Sequence, residues 1–201
     1  MNCWPFRKSL AWNEINYWAL DLETSGLDRS DQILSVGMVP IRNGVIEFGA
    51  HYYSLVRPAQ PEALSVEGIK AHHILPNELA TAPPLSQVLC EVRERIGQDV
   101  LLLHFSSIDL GFLRRSYKAL GEPWIKPTVV DTARLLTRLS ERRRRIDPYT
   151  KPYPSGLRAA RDALGLPAHL EHHALWDALA TAELFLVLRH MLQAQTLRQL
   201  L

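Results

Sequence analysis

The dipeptide Asn43-Gly44 constrains this chain more than any other pair of residues. It lies between two apolar runs, residues 32–41 and 45–56. A two-residue hairpin loop of type I′ needs positive φ at both central positions, which asparagine and glycine adopt at least cost. The two runs are therefore expected to fold back on each other as antiparallel strands. Upstream, Trp18, Leu20 and Leu22 alternate with Tyr17, Ala19, Asp21 and Glu23, and Ser25-Gly26 ends the pattern. That period of two predicts a strand over residues 16–24, so the chain opens with an antiparallel meander of three strands. Residues 100–105, apolar except for His104, read as a strand buried on both faces, which requires helices on both sides of the sheet.

Those helices are visible as well. Leu85, Val88, Leu89, Val92 and Ile96 have helical spacing. Ser106 or Ser107 is placed to cap a helix that Gly121 and Pro123 stop near residue 120. Further helices are predicted over residues 129–142, 156–164 and 174–201. A loop is predicted at 143–155, where Pro148, Pro152 and Pro154 fall, and short helices within the proline-rich stretch 58–84. The 201 residues, 47% of them hydrophobic, supply one core rather than two. The expected architecture is an α/β fold, a mixed sheet flanked by helices, in a single domain over residues 16–201. Residues 1–15 form an irregular extension whose Trp4, Phe6 and Trp12 pack onto it.

Composition excludes some functions. Arg7, Lys8 and Asn13 interrupt the N-terminal aromatics, so no signal peptide is expected, and no apolar run reaches about 18 residues, so no membrane span is expected either. Cys3 and Cys90 lack metal-ligand spacing, which fits a reduced cytosolic protein. A net charge of +2, from 23 basic and 21 acidic residues, does not by itself predict nucleic acid. Residues 134–161, however, hold nine basic and two acidic side chains. Arg134, Arg138 and Arg142 fall at i, i+4 and i+8, one helix stripe. The stripe reads equally as a solvated face and as a phosphate-backbone contact.

The candidate chemistry lies in five residues. Asp21 and Glu23, at i and i+2 on a strand, direct both carboxylates to one face. Two like charges there repel unless a cation separates them, and oxygen-only ligands suit Mg²⁺ or Mn²⁺. Asp109 falls in the first turn of the helix after the buried strand, just past the strand's C-terminal end, where open α/β sheets bind ligands. His172 and Asp177 are five apart, too far round an axis to share a helix face. His172 is therefore expected in the loop before the helix and Asp177 on its first turns. Each feature alone has an ordinary explanation, as a solvated strand end, a helix-start carboxylate or a loop histidine.

Together they form a pattern. Asp21-Leu-Glu-Thr-Ser-Gly-Leu27, His104-Phe-Ser-Ser-Ile-Asp-Leu-Gly-Phe-Leu113 and His172-His-Ala-Leu-Trp-Asp-Ala178 resemble the three motifs of the DEDDh family of 3′→5′ exonucleases, and Ala71-His-His-Ile74 is similar to the family's Val-His-Gly-Ile element. The resemblance covers residues 17–190. It implies a ribonuclease-H-like fold and hydrolysis of phosphodiester bonds at the 3′ ends of single-stranded DNA or RNA with two divalent ions, Mg²⁺ or Mn²⁺. By motif position, Asp21, Glu23 and Asp177 hold one ion, Asp21 and Asp109 the other, and His172 is the general base, with His173 the competing candidate. The turn Thr24, Ser25, Gly26 and Leu27 seats the terminal nucleotide, Leu27 wedging against its base, and His72 lines the same pocket.

The chain departs from the family's pattern at Phe105, where Asn is usual, at Ile108 (Phe), at His73 (Gly) and at Ser35 (Glu). None is a metal ligand, so the departures bear on the shape of the pocket rather than on its chemistry. The intact acids and His172 weigh against a catalytically silent relative that only binds nucleic acid or a polymerase. A stand-alone enzyme is expected, since the terminal helix leaves little room for a polymerase-binding tail. Neither DNA against RNA nor a homo-oligomeric state is legible.

Overall fold

The computed structural model describes residues 10–60 and 73–201. The strands are β1 (Tyr17–Thr24), β2 (Ile33–Arg42), β3 (Val45–Ile46), β4 (Tyr52–Leu55), β5 (Val100–Leu103) and β6 (Val129–Asp131). The helices are α1 (Pro76–Ala80), α2 (Leu85–Ile96), α3 (Ser106–Ala119), α4 (Thr132–Ile146), α5 (Leu157–Ala163), α6 (Ala174–Leu192) and α7 (Leu197–Leu200). The strands form one sheet in the order β3-β2-β1-β5-β6, with β4 also paired to β2. β1 and β2 are antiparallel, while β5 runs parallel to β1 and to β6. Among the described residues no helix is long and apolar enough to cross a membrane.

The hairpin turns where expected, with Asn43 at φ 52° and Gly44 at φ 76°, and Arg42 pairs with Val45. The third strand is not continuous, as the sequence had suggested. A 3-10 turn, Phe48–Ala50, separates β3 from β4. The cause is Pro40. Its carbonyl oxygen accepts from Glu47 N–H at 3.0 Å, so its ladder edge faces the break, and proline has no N–H to donate in return.

A second difference lies at residues 129–131, expected as the start of a helix. They form β6 against β5 instead, pairing Leu101 with Val129 and Leu103 with Asp131. Asp131 then caps two helices. Its Oδ1 accepts from Ala133 N–H at the start of α4, and its Oδ2 from Ser106 N–H at the start of α3, both at 2.9 Å. The N-cap of α3 is therefore neither Ser106 nor Ser107 but Phe105, in left-handed conformation at φ 58°, ψ 56°. α4 also runs on to Ile146, into the stretch expected as a loop, and the last helix breaks at Gln193 (φ 56°) before α7.

That break explains the arginine stripe. Arg138 donates to the Gln199 carbonyl at 2.6 Å and Arg142 to the Leu192 carbonyl at 3.1 Å, so two of its members bond the C-terminal segment. The N-terminal side closes over the same region. Ala11 bridges to Thr196, and Trp12 packs against the core, while Cys3, Trp4 and Phe6 lie outside the described residues.

Alternation along β1 sorts the core into two layers. Tyr17 and Ala19 face α4 and α6, meeting Leu136, Phe185 and Leu188. Trp18 and Leu20 face α2 and α3, meeting Val88, Val92, Phe112 and Leu113. Asp21 and Glu23 continue the odd-numbered face, toward α6. Gly37, paired with Asp21 across the strands, lets α6 approach: a Cβ there would stand 2.2 Å from the backbone of Ala174.

Candidate active site

The acids arrive from three elements. β1 carries Asp21 and Glu23, the first turn of α6 carries Asp177, and the first turn of α3 carries Asp109. One carboxylate oxygen from each of Asp21, Glu23 and Asp177 lies within 4.8 Å of the other two. Asp109, buried, lines the same cleft of roughly 680 Å³, together with His172. Crowding shows in the acidities. Burial raises the Asp21 carboxyl well above its usual range, and Asp109, Asp177 and Glu23 raise it further. Glu23 is pushed up to about 8, by burial and then by Asp177 and Asp109. Asp109 is pushed up to about 7 by burial, against hydrogen bonds from the N–H groups of Asp109 and Leu22. Such a group of acids is short of positive charge, and its all-oxygen donor set fits a hard divalent cation.

Four histidines lie close by, with different surroundings. His172, in left-handed conformation at φ 58°, is exposed on the cleft and makes no hydrogen bond among the described residues. His173 is the N-cap of α6. Its N–H donates to Asp177 Oδ2 at 3.2 Å, and its ring stacks on Tyr53 at 4.8 Å, away from the cleft. His169, outside the three motifs, bonds Asp177 Oδ1 through Nε2 at 2.8 Å and lines the same cleft. Only its place in the loop just before the motif could have drawn attention to it. His104 is structural: its ring bonds Thr132 Oγ1 and the Ser155 carbonyl, each at 2.8 Å, and burial lowers its pKa.

The turn after β1 is tightly bonded. Thr24 Oγ1 donates to the Gly26 carbonyl and Ser25 Oγ to Asp31 Oδ1, both at 2.7 Å, and Ser25 Oγ accepts from Gln32 N–H at 3.0 Å. A Cβ at Gly26 would stand 2.5 Å from the Asp31 carboxylate, so a side chain there would have to displace it from its bond to Ser25. Leu27 projects, 75% exposed. The N–H groups of Gly26 and Leu27 make no hydrogen bond among the described residues. His72 lies outside the described residues. Of the basic stretch, Arg158 alone lines the cleft, and it is paired with Glu171 and Asp162. Arg161 is fully buried, bonded to the Ala180 and Pro167 carbonyls and paired with Glu183 at 2.7 Å, so it joins α5 to α6 instead of meeting substrate.

The RNase_T family model, which describes exonucleases, matches residues 18–185. This chain belongs to that exonuclease family. The exonuclease is 29% identical over 174 residues to "DNA polymerase III PolC-type" of Staphylococcus haemolyticus and of Staphylococcus aureus, covering 86% of this chain but only 11% of those polymerases. Exonuclease X, solved with 5′ overhanging duplex DNA, superposes with TM-score 0.67 at 24% identity over 92% of this chain and 96% of that one. Escherichia coli Exonuclease I, solved with a dT13 oligonucleotide, superposes with TM-score 0.75 at 14% identity over 89% of this chain and 42% of that one. The family match and the three motifs make the chain a DEDDh-type exonuclease, and the mixed sheet flanked by helices agrees with these neighbours.

Proposed function

We propose that this exonuclease hydrolyses the terminal phosphodiester bond at the 3′ end of single-stranded DNA or RNA and releases nucleoside 5′-monophosphates. One observation carries the reading: three carboxylate oxygens gathered within 4.8 Å, with Asp109 and an exposed His172 on the same cleft. The DEDDh resemblance supplies the polarity.

Asp21, Glu23 and Asp177 would hold one Mg²⁺ or Mn²⁺, and Asp21 with Asp109 a second. Bound there, divalent ions supply charge against the developing negative charge on phosphate and make the attacking water more acidic. The chain's own residues do the rest. His172 takes the proton of the water that attacks phosphorus, a task suited to imidazole, which titrates close to neutral pH. The bond from phosphorus to the 3′ oxygen of the penultimate nucleotide breaks, and that oxygen takes a proton from solvent. The N–H groups of Gly26 and Leu27 meet the terminal 3′-OH and Leu27 wedges against its base, while Phe105 and Ile108 line the cleft itself.

The test is digestion of 5′-labelled single-stranded DNA and RNA of equal sequence with Mg²⁺ or Mn²⁺, beside an EDTA control and Asp21→Asn. A metal-dependent ladder shortening from the 3′ end, absent in the variant, is expected. No ladder from a well-folded protein with either polymer or metal overturns the reading.

A further inference from the structure

We propose that a groove on the flank of α3 binds the phosphodiester backbone of the strand being degraded, upstream of its terminal nucleotides. The inference rests on the exonuclease reading and extends it to substrate length. α3 connects the two places. Ile108 and Asp109 line the catalytic cleft, while Phe112, Arg115, Ser116 and Ala119 line a separate groove of roughly 510 Å³. Steps of three and four residues put these side chains on one helix face. The rise from Asp109 to Ala119 is about 15 Å, enough for a strand leaving the cleft to continue along the helix.

The groove is net positive, with three guanidinium groups against one carboxylate. Arg29, Arg57 and Arg115 line it, and none of the three guanidinium groups makes a hydrogen bond or ion pair among the described residues. Arg115 lies over the Phe112 ring at 4.2 Å, and its buried Nη2 is left without an acceptor. A guanidinium stacked in this way is pre-oriented for a phosphate oxygen. The carboxylate in the lining, Asp31, is already engaged: Oδ1 accepts from Ser25 and Oδ2 from Asp28 N–H, both at 2.7 Å. The Gln32 amide is taken up by Ala59 and Gln60. Free cations without a free amide to read base edges select backbone charge rather than sequence. Asp31 and Gln32 also bond Ser25, so the groove wall and the nucleotide-seating turn are one bonded unit.

The experiment compares wild type with Arg29→Gln/Arg57→Gln, both exposed positions, and with the triple variant that adds Arg115→Gln. Binding of a labelled single strand of about twenty nucleotides is followed by anisotropy in EDTA over a salt series. Hydrolysis of the p-nitrophenyl ester of thymidine 5′-monophosphate, which has no upstream backbone, is followed with Mn²⁺. In the triple variant, affinity for the strand is expected to fall at least about ten-fold and the slope of log K against log salt to become shallower by about two, with ester hydrolysis unchanged. The double variant falls between. Unchanged affinity and slope, or a loss with duplex but not with the single strand, overturns the groove. Absence of any hydrolysis by wild type would defeat the exonuclease reading instead, and the binding series would still decide the groove.

Discussion

At position 105 the backbone is left-handed, φ 58°, so that α3 can begin directly after β5. Most side chains reach that region only at a cost of roughly 1–2 kcal/mol, and asparagine reaches it more readily. This is a physical reason for Asn at that position in the family this chain resembles; Gly at position 73 has the same reason, since His73 stands at φ 57°. Phe105→Asn is expected to stabilise the protein by about 1 kcal/mol in urea unfolding, and, by removing a ring from the cleft wall, to raise KM with little change in kcat. A loss of stability would mean that the edge contact of Phe105 with His104, 4.7 Å between centroids, outweighs the strain. His169 invites a different measurement. Without its bond to Asp177 Oδ1, His169→Ala should weaken Mn²⁺ binding about 10–100-fold in a calorimetric titration and recover activity at saturating metal. Unchanged metal affinity would show the contact to be idle. The four acids and His172 were legible as candidates because together they match the motifs of the family the chain resembles. His169 was not, since it sits in a loop without periodicity, and a backbone sign such as that of Phe105 leaves no trace in hydropathy.

At the scale of elements, α2 was read to the residue from its apolar spacing, and β1, β2 and the Asn43-Gly44 turn to within a residue or two. The errors share a cause. β6 is three residues long, too short for a period of two to show, and the break between β3 and β4 is decided by a proline on the neighbouring strand. Contacts between segments are equally silent in a sequence, as with Arg138 and Arg142 of α4, which bond carbonyls of the C-terminal segment. The contact of Gly37 with α6 gives the sharpest test here. In Gly37→Ala the added methyl meets backbone, which cannot rotate aside, so the helix must lift. Stability should fall by at least about 2 kcal/mol. Activity should fall further than the folded fraction does, because Asp177 rides on the lifted helix. A variant with wild-type melting and wild-type rate would contradict the arrangement.

For the molecule as a whole, the crowded acids set a pH dependence. Folded, Glu23 and Asp109 hold protons up to about 8 and about 7, whereas their unperturbed values are 4.5 and 3.8. Between those limits the folded state binds more protons than the unfolded one, so stability falls as pH rises through the window, and below it the penalty is absent. Without metal, the melting temperature should drop from about pH 5 to about pH 8, and excess Mn²⁺ should restore most of the loss. A metal-free melting temperature that climbs over the same range would show that the acids are not crowded as described. The mixed sheet between helical layers could be read from the sequence because β1 alternates, the β5 segment is a continuous apolar run and α2 has helical spacing; the cleft could not, because it is made where three distant segments meet. The clearance at Gly37 bears on how the protein is made. During synthesis β1, β2 and α3 leave the ribosome first, carrying three of the four acids, while Asp177 and His172 follow many residues later and take their height only when α6 comes down on that glycine. The candidate metal site is therefore complete only after that helix has docked.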